Sequence, residues 1–259
     1  MSKTAVITGA TSGIGAAFAR RLAQDGYELI ITGRKKEVIN KMADDISATN
    51  KVKVTVVIAD FANDNDLQRV LDAVKGRDDI EFLINNAGYS GYDRHFEDLD
   101  IAEHVNLVKV HDIAPMRMIS LVLPGMIKRH KGTIINVSSI GAFIPAMGGG
   151  VYNGAKAFLK MYSQSLHLEL RDKGVKVQAL CPGRTLTNFG KEYYSKRLMD
   201  TMSKFKGMSA DEVVDISLRA AEKNKWVCIP GMSYRMMASV FPRLPAGTYY
   251  SVMKRMGMS

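Results

Sequence analysis

Cysteine is scarce in this chain: 259 residues contain two, Cys181 and Cys228. That is too few, and at the wrong spacing, for a disulfide framework or a metal site. Such usage suits a reducing, cytoplasmic setting. Long apolar runs are missing too. No stretch approaches the roughly 18 apolar residues of a bilayer-spanning helix. Met1-Ser2-Lys3 runs straight into an apolar strand, so no signal peptide is expected. Internal repeats and low-complexity segments are absent. Acidic residues are outnumbered, 26 against 36 Lys and Arg, for a formal net charge of +10. This excess permits an anionic ligand, a nucleic acid or an acidic membrane surface. The cations lie in short groups, Arg34-Lys35-Lys36 and Lys128-Arg129-His130-Lys131, without interleaved aromatics. Nucleic-acid binding is therefore not expected. Residues 223–259 hold six Lys/Arg and no acid at all.

What remains is ordinary for a globular protein, with 46% hydrophobic and 24% charged residues. One α/β domain spanning 1–259 is expected. Residues 5–8 read as a buried strand, followed at once by Gly9-Ala10-Thr11-Ser12-Gly13-Ile14-Gly15 and a helix over 16–24 that stops at Gly26. A strand feeding a glycine loop and then a helix is what a pyrophosphate site requires. Glycine permits the tight turn, and the helix N-terminus offers free N–H groups. The second strand, 28–32, ends in Gly33-Arg34-Lys35-Lys36. An acid there would bind the ribose 2′-OH of NAD, whereas Arg34 suits the 2′-phosphate of NADP. Strands at 52–58 and 80–84 follow, with a helix over 63–74 between them. Asp60, after the third strand, could accept from an adenine amino group or cap the next helix. Apolar strands alternating with helices indicate a Rossmann-type, doubly wound parallel β-sheet with helices on both faces.

The second landmark lies between Ser139 and Lys156. A strand over 133–137 leads into Ser138-Ser139, and Tyr152-Asn153-Gly154-Ala155-Lys156 opens a helix. Tyr152 and Lys156 at i and i+4 share one helix face. An adjacent ammonium favours the phenolate and moves a tyrosine pKa of about 10 toward neutrality. A serine hydroxyl from the strand end could then hold a carbonyl oxygen that the tyrosine protonates. Tyr-x-x-x-Lys alone is weak, since Tyr250 to Lys254 repeats it with no evident chemistry.

Context decides. In order, Thr8-Gly9-Ala10-Thr11-Ser12-Gly13-Ile14-Gly15, Asn85-Asn86-Ala87-Gly88, Ser139 with Tyr152-x-x-x-Lys156, and Pro182-Gly183 resemble the motifs of the single-domain short-chain dehydrogenase/reductases. The resemblance runs from the start of the chain to about residue 188. It implies NAD(P) at the strand ends, Tyr152 as general acid/base, Lys156 on the nicotinamide ribose and Ser139 orienting substrate. It also implies a cofactor lining of Gly9, Ser12, Ile14, Arg34, Asp60, Asn86 and Thr185, and a homodimer or homotetramer. One departure stands out. The family usually completes its tetrad with an asparagine in the helix after the fourth strand. Spacing back from Ser139 places that position on His111; Asn106 sits too early. A satisfied helix histidine without a proton-transfer role is the preferred reading, neutral at pH 7 because Lys156 is close.

Residues 190–207, rich in Tyr, Lys and Met, would close over a small-molecule carbonyl substrate as a lid. In the basic tail, about 230–259, Tyr249, Val252, Met253 and Met256 fall at helical spacing. That stripe either touches a membrane peripherally or packs on the protein itself. The reading is an NADPH-dependent reductase of a hydrophobic ketone or aldehyde, without a metal. An NADP(H)-binding sensor or scaffold with little turnover is the alternative.

Overall fold

The apolar runs become strands buried on both faces. Strands β1 (Thr4–Ile7), β2 (Glu28–Gly33), β3 (Val54–Ile58), β4 (Ile80–Asn85), β5 (Gly132–Val137), β6 (Val175–Leu180) and β7 (Val227–Cys228) form one sheet in the order β3-β2-β1-β4-β5-β6-β7. Every pairing is parallel. Successive side chains leave opposite faces, and both are used: Ala5 and Ile7 of β1 join one core, Val6 the other. The structure is a computed structural model and describes residues 3–90, 96–146, 148–189 and 206–255.

Helices α1 (Gly13–Gln24) and α2 (Lys36–Asn50) cover the first face, together with the helix over Ala210–Glu222. The second face lies under α3 (Asp64–Val74), α5 (Ala114–Lys128) and α6 (Gly150–Glu169). Upstream of α5 stands α4 (Ile101–Val108), joined to it by a π-helical segment, Lys109–Ile113. The helix over Ala210–Glu222 is α7, and it opens with a capping box between Ser209 and Glu212. Two short helices end the described chain, α8 (Met232–Val240) and α9 (Ala246–Arg255).

Some expectations shift. Helix α1 begins at Gly13, not residue 16, because the glycine loop folds back onto its first turn; a Cβ on Gly15 would collide with Gly9 O. Asp60 does not cap α3. Asn63 does, accepting from the N–H groups of Asn65 and Asp66, while Asp60 accepts from Ala62 N. The apolar stripe of α9 turns partly inward. Met253 is buried, and Tyr249 donates to Pro145 O. Of the expected lid, only Lys206 and Gly207 lie within the described residues, and Met256 lies outside them.

Candidate active site

Strand order reverses direction at β1 and β4, which leaves a crevice beyond their carboxyl ends. The glycine loop lines one wall and is latched to the end of β4. Thr8 Oγ1 accepts from Asn86 N and Ala87 N, both at 2.9 Å, and Asn86 Nδ2 donates to Thr8 O and Gly9 O, also at 2.9 Å. Asn86 thus braces the loop from behind. Gly9 has φ +65°, and a Cβ there would lie 2.7 Å from Ala87 Cα; glycine is required on both counts. Ser12 precedes α1 in extended conformation without a side-chain hydrogen bond to the helix. The first N–H groups of α1 therefore have no side-chain cap, which suits the pyrophosphate of a dinucleotide. Ile14 packs into the core beneath them. Thr187 hangs over this helix start, since a Cβ on Gly13 would lie 3.1 Å from Thr187 Cγ2. Its neighbour Thr185 is bridged to Met208. At the outer end, Arg34 is 59% exposed and 3.5 Å from the carboxylate of Asp60.

On the other wall β5 delivers two serines with different uses. The Ser138 hydroxyl is buried and donates to Lys156 O at 2.7 Å, tying β5 to α6. Ser139 is half-buried and opens a short 3₁₀ turn, its Oγ accepting from Gly141 N at 3.0 Å. Helix α6 carries Tyr152 and Lys156 one turn apart, as the spacing predicts. Lys156 is 4% exposed; its Nζ donates to Val137 O at 2.7 Å and stands 5.7 Å from the centre of the Tyr152 ring. Burial brings this ammonium down to about 8, opposed by Asp112 and then by Cys181. Phe189 lies 6.4 Å from the Tyr152 ring, centre to centre.

The third wall is the π-helical segment. It brings His111, not Asn106, to the site: the His111 ring meets the Tyr152 ring edge-on at 5.6 Å. Any Cβ on Gly88 would collide with His111 Cε1. Nε2 lies 2.9 Å from Tyr89 O and 3.2 Å from Tyr89 N; it donates to the first or accepts from the second, according to tautomer. His111 is held well below the usual histidine range, mainly by burial and then by Lys156. Neutrality is as expected, but burial is the larger cause. The residue that sequence reasoning passed over is Asp112. It is buried, and its carboxyl is pushed up to about 7 by burial, with Lys156 opposing. An acid amid the apolar run Val110 to Pro115 was the available signal.

A Rossmann-type sheet, a latched glycine loop and a Tyr-Lys pair facing it define a nucleotide-dependent oxidoreductase. The family model described as short chain dehydrogenase matches residues 3–198, and the chain belongs to that family. It is 29% identical over 265 residues to the very-long-chain 3-oxoacyl-CoA reductase of Homo sapiens, covering all of this chain and 81% of that protein. For the Anas platyrhynchos and Bos taurus proteins of that name, the match spans only 61% and 62% of their length. The inactive hydroxysteroid dehydrogenase-like protein 1 of Homo sapiens is 34% identical over 180 residues, 69% of this chain and 54% of that one. Among solved structures, a short-chain dehydrogenase from Sphingobium yanoikuyae in complex with NADPH superimposes with TM-score 0.83 at 29% identity, covering 97% of this chain and 95% of that one. A bulky-bulky ketone specific alcohol dehydrogenase from Comamonas testosteroni gives 0.77 at 30% identity, covering 98% and 91%.

Proposed function

We propose that this protein is an NADPH-dependent reductase of hydrophobic ketones, with Tyr152 as its general acid. The observation that carries the reading is the buried Lys156 ammonium beside the half-buried Tyr152, together with the start of α1, which has no side-chain cap. When bound, the reduced nicotinamide supplies a hydride to the carbonyl carbon. Tyr152 donates its hydroxyl proton to the carbonyl oxygen as the C=O bond becomes an alcohol. Lys156 stabilises the resulting phenolate and holds the ribose, and Ser139 positions the carbonyl oxygen. Gly9, Ser12 and Ile14 form the nucleotide cradle braced by Asn86, with Thr185 at the carboxamide. Preference for NADP rests on Arg34, on Lys35 and Lys36 beside it, and on β2 ending in Gly33 rather than an acid. Exposed Phe189, near the Tyr152 ring, offers apolar surface to the substrate. The related proteins named for 3-oxoacyl-CoA and for bulky ketones support a long-chain or bulky ketone. The protein works as a homodimer or homotetramer, and its two buried free thiols are in keeping with a reducing, cytoplasmic setting.

The test is turnover of a ketone panel with NADPH, beside Tyr152→Phe. The substitution keeps the ring and removes the proton, so turnover should collapse by at least about 10²-fold while NADPH still binds. Tyr250→Phe, on the exposed repeat of the motif, should change nothing. A wild-type protein that binds NADPH but reduces no ketone would favour the sensor reading, which the resemblance to a protein named inactive also supports.

A further inference from the structure

The chemistry above has no use for Asp112, yet its carboxyl is buried at the heart of the site. The residue is 6% exposed, and its Oδ1 has no hydrogen-bond partner among the described residues. A buried carboxylate short of hydrogen bonds is costly unless an opposite charge compensates. The cation that acts on it is Lys156, on α6, against which the π-helical segment packs; no N···O contact of 4.0 Å or less joins the two, so the compensation is through space. The lysine has the mirror-image need. At 4% exposure its ammonium makes a 2.7 Å bond to Val137 O, and burial works against its charge.

The other titratable groups around Lys156 do not meet that need. Tyr152 stands one turn before it on α6 and Lys160 one turn after. His111, beside Asp112 on the π-helical segment, is kept neutral. The Cys181 thiol, just past β6, is pushed up to about 12, chiefly by burial, and stays uncharged at neutral pH. Among the described residues acting on Lys156, Asp112 is the one carboxyl group, and its influence favours the ammonium.

We propose that Asp112 is a positioning residue of this site: the buried counter-charge that keeps Lys156 an ammonium beside Tyr152. It acts through the lysine and does not touch substrate. The proposal rests on the reading of Lys156 given above. Each partner's charged form supports the other's, so the two titrate as a coupled pair near neutrality rather than as separate groups. The sign follows. Removing the carboxylate removes what raises Lys156, so the lysine gives up its proton at lower pH, and Tyr152 loses its cation there too.

The experiment is a ¹³C NMR titration of protein labelled at lysine Cε, with the Lys156 resonance assigned by its loss in Lys156→Met. In Asp112→Asn and Asp112→Leu that resonance should titrate about one pH unit or more below wild type. Asp112→Glu, which restores the charge, should recover most of the shift. The alkaline limb of kcat/KM on any accepted ketone should move down with the resonance. Should the Asp112 variants fail to fold, the pair is read from the other side. The Asp112 carboxyl carbon, near 7 in the intact protein, should titrate higher in Lys156→Met. A Lys156 resonance unmoved in both Asp112 variants, or an Asp112 carbon indifferent to Lys156→Met, overturns the proposal. NMR reads the charge without turnover, so the two ideas separate. A shifted resonance in a protein that reduces no ketone removes the proposed function and keeps the counter-charge. An unshifted resonance in an active protein does the reverse.

Discussion

Arg34 is held loosely, and that is what its proposed role needs. Its contact with Asp60 is 3.5 Å long between exposed side chains. Such a surface pair contributes about 0–1 kcal/mol. A charge-assisted contact to a 2′-phosphate contributes about 1.5–3 kcal/mol, so the phosphate wins the side chain. Arg34→Ala should therefore weaken NADPH binding by about 10–100-fold and leave NADH little changed, as read by fluorescence titration. Equal losses for both nucleotides would remove Arg34 as the discriminator. Asp60 is freed by the same exchange, still anchored by its bond to Ala62 N.

The π-helical segment sets two buried titratable side chains, His111 and Asp112, on an element packed against α6. Lys109 O accepts from Ala114 N in place of the usual i+4 donor, which marks the wider turn. Val110, His111 and Asp112 are buried, while Ile113 at the end of the segment is exposed. His111 fills the space above Gly88 and holds Tyr89 through Nε2. The side chain is packed and neutral, so it should be tolerated in catalysis rather than required. His111→Asn should retain activity within about tenfold, a barrier change of ~1.4 kcal/mol or less. Loss as complete as in Tyr152→Phe would make the histidine a working proton-transfer group. Stability supplies an independent check. The histidine's folded pKa is depressed, so the unfolded chain binds the proton first as pH falls below about 6.5. Wild type should lose stability on acidification through that point, and His111→Asn should lose less, measured by urea unfolding at pH 7 and 5.

Across the molecule, apolar exposure is concentrated on neighbouring helices. On α4, Ile101, Val105 and Val108 form one exposed stripe; on α6, Phe158, Met161 and Leu168 form another. The two helices pack side by side. Exposed apolar stripes on two packed helices mark an interaction surface more often than a solvent surface, and a second copy of the chain is the proposed occupant. If a second copy covers this face, Met161→Glu should lower the mass seen by light scattering at micromolar concentration relative to wild type. A wild-type protein already monomeric there would end the homo-oligomer reading. Exposed Met232, Met236 and Val240 make a separate stripe on α8, whose spacing the sequence reading passed over.

Much of this protein was readable in the order of its residues. Parallel strands buried on both faces must be near-continuous apolar runs, and a helix start that meets phosphate must be glycine-rich, so the sheet, the loop and the Tyr152–Lys156 pair were all visible. Local spacing carried them because each lies within one turn or one strand. What lies between elements was not visible. The division of labour between Ser138 and Ser139 depends on which hydroxyl faces Lys156 O, and that is set by how β5 meets α6. Asn86 reads as a cofactor contact; that its amide nitrogen donates to Thr8 O and Gly9 O, about 77 positions away in sequence, only the fold shows. Asp112 looked like one acid on a helix. Only the fold, by setting the π-helical segment against α6, buries that carboxyl within electrostatic reach of a lysine that is 44 residues further along the chain. Charge in a low-dielectric interior is decided by neighbours in space, and sequence order does not contain them.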